Sequence, residues 1–91
     1  MGETKVAVLP IVNMNGTSKE ELLFQYRAIM AFTKAALSAA CEARPHGRDY
    51  QCNREPDAAQ TARFDYETKV VARLAAVADY LEALLIGIND Q

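Results

Sequence analysis

The chain has 91 residues and a mass of 10.0 kDa, enough for one small domain and too few for an enzyme with separate catalytic and regulatory halves. A hydrophobic fraction of 51% excludes a disordered chain, and a net charge of −2 with a pI near 5.3 argues against a general nucleic-acid binder, which needs surplus lysine and arginine. At this size only about 60–65% of the unfolded surface is buried on folding, so a monomer is marginal and self-association is expected. Sixteen residues are alanine, which bury little area each and favour close helix contacts over a thick core.

Residues 1–14 form an apolar arm or edge strand. Lys5 to Met14 reads KVAVLPIVNM, and Pro10 removes a ladder donor, which excludes a central strand. No second strand candidate follows, so the arm is expected to lie on the helices or on another subunit. Asn15-Gly16 then turns the chain. Thr17 with Glu20 and Ser18 with Glu21 make two overlapping capping boxes, and the spacing predicts a first helix over 18–43. Its apolar row is Leu22, Tyr26, Ile29, Thr33, Ala36 and Ala40, with Leu23, Met30 and Leu37 adjoining. Arg44 precedes Pro45 and so disfavours helix, which ends the element and opens a loop over 44–56 without periodicity.

Asp57 stands three residues before Gln60 in a third capping pattern, and no proline or glycine follows until Gly87. A second helix over 57–88 is predicted. Its row is Val70, Leu74, Val77, Leu81, Leu84 and Ile88, widened by Val71, Ala75, Ala78 and Leu85, with Ala72, Ala76 and Ala83 on another side. The expected fold class is all-α: an antiparallel helical hairpin with a short extended N-terminal arm, completed by oligomerisation, because each stripe is broader than one opposing helix covers. Lys19 and Arg27 are expected beside the acidic C-terminal part of helix two, where Asp79, Glu82 and Asp90 are unfavourable for the helix dipole.

Two segments carry polar groups beyond what a hairpin requires. At the start of helix one, Asn15, Gly16, Thr17 and Ser18 present free N–H groups and hydroxyls suited to an anion, or simply a turn and cap. In the loop, Arg44, His46, Arg48 and Tyr50 combine cationic groups with a stacking face, a set suited to phosphate or carboxylate. The same loop also reads as a solvated connection in which His46 caps helix one, Asp49 pairs with an arginine and Gly47 supplies a positive φ. No enzyme is expected, since one histidine stands without an oriented nucleophile and Asp65 and Glu67 lie on adjacent helix faces, explained by solvation. Tyr66 and Tyr80, fourteen residues apart, read as packing residues on one side of helix two. Cys41, His46 and Cys52 lack metal-ligand spacing, so neither metal nor other cofactor is expected. No apolar run is long enough to cross a bilayer and no signal-peptide pattern precedes the arm, which together with few cysteines points to the cytoplasm and no membrane partner.

The pattern VNMNGTSKEELL followed by PHGRDY resembles a group of small phage and prophage proteins in which an apolar arm, an NGTS cap and a PHGRDY loop join two helices. The motifs that carry the resemblance are Asn15 to Ser18 and Pro45 to Tyr50. It implies a phage origin, a host-cell cytoplasmic setting and a hairpin. By analogy with phage accessory proteins, the leading expectation is a non-enzymatic, oligomeric anti-defence protein that sequesters a small phosphorylated or nucleotide-like ligand. Its composite site would join the loop of one subunit to the NGTS cap of another. The alternatives are an interaction protein that blocks a host defence protein through an apolar helical face, and a structural phage accessory.

Overall fold

The computed structural model describes residues 8–12 and 16–91. The predicted arm residues 1–7 and 13–14, and the candidate Asn15, lie outside the described residues. Helix α1 spans Lys19–Glu42, close to the predicted 18–43. The Ser18 hydroxyl accepts the Glu21 N–H at 3.1 Å, so of the two capping boxes it is the Ser18 one that starts the helix. At the other end the Ala43 N–H bonds the Ala39 carbonyl at 3.1 Å, and Pro45 prevents a further turn.

The predicted loop contains a 3-10 turn, Gly47–Tyr50, followed by an Asn53 side chain that accepts the Glu55 N–H at 2.8 Å. Helix two starts where expected, but not by the expected device. Asp57 adopts a left-handed φ of 58° and its side chain caps nothing, whereas an N-cap side chain reaches the first turn from extended backbone. Its carbonyl instead accepts the Thr61 N–H at 2.9 Å.

The long second helix is not one regular α-helix. It consists of α2 (Ala58–Tyr66), a π segment (Glu67–Val71) and α3 (Ala72–Asn89). The Ala72 N–H reaches back five residues to the Glu67 carbonyl, and the Thr68 hydroxyl donates to the Phe64 carbonyl at 2.9 Å. A threonine hydroxyl competing for an i−4 carbonyl loosens the α-ladder locally, which suits a wider turn at this point. The consequence is rotational. Tyr66 and Val71 are five apart, a spacing that in regular α-helix puts residues about 140° from each other; the widened turn lets both serve the side that meets α1. Tyr66 and Tyr80 therefore do not share a side as expected: the Tyr66 hydroxyl donates to the Ala40 carbonyl of α1 at 2.8 Å, while Tyr80 is exposed.

α1 and α3 pack antiparallel along their length, and no Cα of α2 approaches α1 within 8 Å. Helix two thus overshoots the end of α1, and the 3-10 turn packs on the overshoot. The seam on α1 is Leu23, Tyr26, Met30, Thr33, Leu37 and Ala40, and on α3 it continues from Val71 through Leu74, Ala78, Leu81, Leu85 and Ile88. Both follow a strict three-four repeat, the spacing of an a/d seam. Met30 and Leu81 form its buried centre together with Leu84, which is buried from the adjoining row, flanked by Tyr26, Ala78 and Leu85. The predicted rows are corrected here: Ile29, Ala36 and Val77, each placed in the buried stripe from sequence, are exposed.

Among the described residues no strand forms, and residues 8–12 of the arm lie on the end of the same chain's α3. The Gln91 side-chain amide accepts the Val12 N–H at 2.8 Å and donates to the Pro10 carbonyl at 2.6 Å. Leu9 sits over Gly87 so closely that a Cβ there would overlap its methyl groups. Lys19 donates its ammonium to the Gln91 carbonyl at 2.8 Å, placing a cation at the end of a helix that has no basic residue in its last turn.

Candidate functional site

Helix α1, 24 residues or about 36 Å long, separates the two predicted polar segments. Gly16, Thr17 and Ser18 stand at its start and Arg44, His46, Arg48 and Tyr50 beyond its end, so one chain does not bring them together. Ser18 is engaged in the cap, and Glu20 and Glu21 follow in the first turn, which is unfavourable for an added anion.

At the hinge the geometry is more specific than a solvated loop. Arg44 forks onto Glu67, with Nε to Oε1 at 3.0 Å and Nη2 to Oε2 at 3.1 Å. The hydrogen bonds to Glu67, and then its charge, hold the guanidinium pKa above its ordinary value. A bidentate pair of this kind fixes direction more than it adds stability at an exposed position, and here it clamps the end of α1 to the π segment. Arg44, Pro45, Arg63 and Glu67 line a hollow of about 200 Å³. Gly47 has no positive φ; a Cβ there would come to 3.3 Å from the Arg63 guanidinium, close enough to displace it by a few tenths of an ångström. His46 precedes the 3-10 turn without capping it, Arg48 is exposed and Tyr50 half-buried. Asp49 forms no ion pair with an arginine; among the described residues the ion pairs are Arg44–Glu67 and Asp65–Lys69 at 3.7 Å. Glu67, read from sequence as merely solvated, is the clamp, and Arg63 is a hinge residue that sequence reading missed, because their partners are 16 to 23 positions away in the chain.

The second candidate is a surface. All three phenylalanines, Phe24, Phe32 and Phe64, are 68–77% exposed, and the buried core is built without them. Ile29, Val77 and Tyr80 are each 46% exposed. Singly exposed apolar side chains are ordinary, so their arrangement is what bears on function. Helical periodicity shows how they are arranged. Leu22, Ile29 and Ala36 immediately precede seam residues of α1, as Val70, Val77 and Leu84 precede those of α3, and in an antiparallel pair these two flanks lie on the same side of the hairpin. One turn outward come Gln25, Phe32 and Ala39, and Arg73, Tyr80 and Gly87. Arg27, Lys34 and Glu82 fall on the opposite flank. That opposite flank also carries the exposed Phe24 and Ile86, so the hairpin has one mixed flank and one that is charge-poor.

A larger depression of about 420 Å³ beside Phe24 is lined by Glu20, Leu23, Phe24, Arg27 and Ala28, all from α1, and so is a groove along one helix. Among the described residues no group of three or more His, Cys, Asp or Glu is placed to hold a metal. Cys41 and Cys52 are free thiols. No helix is long and apolar enough to cross a membrane. Comparison with protein families, curated proteins and solved structures gives no match.

Proposed function

We propose that this chain is a non-enzymatic interaction protein that acts by burying its apolar flank against another protein surface. The observation that carries this reading is the placement of Phe32, Ile29, Val77 and Tyr80 on one side of the hairpin while the seam is filled by other residues. The flank is charge-poor, helical and ridged at three-four spacing, the form that packs against helices. In the phage setting that the NGTS and PHGRDY motifs suggest, a surface of this kind is suited to disabling or assembling with other proteins without chemistry of its own.

A second reading keeps the hinge as a ligand site for a small anion, on the strength of the Arg63 guanidinium, which pairs with no carboxylate among the described residues, beside the Arg44–Pro45–Glu67 hollow. Joining this hollow to the Thr17–Ser18 end requires a second subunit. Thermal titration separates the two. A ligand that binds only the folded chain at 100 times its Kd raises stability by about 2.7 kcal/mol. On the interaction reading, phosphate and cyclic dinucleotides at millimolar concentration leave the melting temperature unchanged. An apolar dye binds the chain diluted to monomer, and Phe32→Glu abolishes that binding. A nucleotide-induced rise that Arg63→Ala removes overturns the reading in favour of the hinge.

A further inference from the structure

We infer that the occupant of the apolar flank is a second copy of this chain, and that two hairpins close face to face into a four-helix bundle. The inference rests on reading the flank as a docking surface and names its partner. Three observations favour a second copy.

The first is rotational. The apolar rows of the sequence, Leu22–Tyr26–Ile29–Thr33–Ala36–Ala40 and Val70–Leu74–Val77–Leu81–Leu84–Ile88, are centred about 50° away from the seams the hairpin uses, given 100° per residue. The displacement has the same sense in both helices and, because they run antiparallel, is toward the same side; of the displaced α3 row, Leu84 is already buried in the hairpin and Val70 and Val77 are not. Each helix is thus patterned for two neighbours and the hairpin supplies one. A four-helix bundle is the arrangement in which every helix has two adjacent neighbours and its stripe points between them.

The second is area. The chain exposes 7111 Å², against about 5,200 Å² for a compact monomer of this mass. The excess belongs to the whole chain, and a flank that supplies less than half of it meets the roughly 800 Å² per partner of a standard stable interface.

The third is charge. Between Leu22 and Ala39 the flank of α1 carries no ionised group, and on α3 it carries Arg73 alone. Laying this surface on its own copy therefore opposes no carboxylates, whereas the flank with Arg27, Lys34 and Glu82 would bury charges if used in the same way. Ala36 and Ala39 lie on the flank and let the backbones approach. Of the described arm residues, Leu9 packs on Gly87 at the C-terminal end of this flank, and Pro10 and Val12 bond Gln91, so residues 8–12 meet the flank at that end alone.

The test is the mass of the full chain by light scattering at micromolar concentration, with thermal unfolding over a concentration series. The inference expects twice the 10.0 kDa chain mass and an unfolding midpoint that rises with concentration. Phe32→Glu and Val77→Glu should each abolish the dimer, and Phe64→Glu, off the flank, should preserve it. Loss of folding in Phe32→Glu beside a folded, dimeric Phe64→Glu also supports the inference, because a side chain 77% exposed in the single hairpin has nothing to lose unless a partner covers it. A monomer with a concentration-independent midpoint overturns it. The reading as an interaction protein survives that result if the monomer still binds apolar dye through Phe32, and falls with it if no dye binds. A dimer untouched by Phe32→Glu and Val77→Glu shows that the copies meet elsewhere and overturns the inference too.

Discussion

The two sides of the hairpin differ by a single residue step. Met30 is buried and Ile29 beside it is half-exposed; Leu81 is buried, while Val77, one turn earlier on the expected row, is exposed. All four are apolar and all four fit a helical stripe, so hydrophobicity does not distinguish them. What distinguishes them is the partner each side meets. The seam has an opposing helix, and the flank, apart from Leu84 and Gly87 near one end, meets solvent within one chain. An apolar stripe records how many neighbours a helix is built for, and a single chain can fall short of that number.

The sharpest way to break this comparison is to truncate one residue on each side. Leu81→Ala removes buried methyl groups at the centre of the seam and should cost about 2–5 kcal/mol in urea unfolding. Val77→Ala should cost much less at low protein concentration, where the flank is uncovered, and the loss should grow as concentration rises. Equal, concentration-independent losses at both positions would remove the distinction between the two sides.

A smaller effect sharpens where the seam ends. Tyr66→Phe deletes the bond to the Ala40 carbonyl and leaves the ring, so a loss of about 0.5–1.5 kcal/mol is expected, with slower-exchanging amides near the π segment losing protection first. No change in either measurement means that the π turn is not held by this tie.

The smallest effects concern the start of α1. Ser18→Ala should destabilise by about 1 kcal/mol, and Thr17→Ala should be nearly neutral, since only Ser18 accepts the Glu21 N–H. Circular dichroism through a thermal ramp distinguishes them. Equal losses would mean that the two capping boxes share the work. Neither substitution should change association, because the cap lies outside the flank.

Much of the fold was legible from the order of residues. The helix boundaries are local events: Ser18 with Glu21, then Arg44 before Pro45, act within a few positions, so the predicted 18–43 lies within a residue of Lys19–Glu42. Asp57 was legible as a boundary but not as a mechanism, because its left-handed φ depends on how the loop returns to the overshoot of helix two. The π segment was not legible at all. Thr68 is an ordinary residue in sequence, and only the need to keep both Tyr66 and Val71 against α1 makes a widened turn favourable there.

The candidate site divides in the same way. Arginine enrichment in the loop is a property of composition and could be read directly. That Arg44 is taken up by Glu67, and that Gly47 yields space to Arg63, are pairings across 16 to 23 positions that no local pattern carries. By itself, the sequence determined two long amphipathic helices, their caps, and stripes broader than one partner can cover, because helix periodicity and capping act over three to five residues. Only the tertiary structure decided which half of each stripe meets the other helix and which stays open. That choice depends on the antiparallel pairing of α1 with α3, which brings the two open halves to the same side of the hairpin.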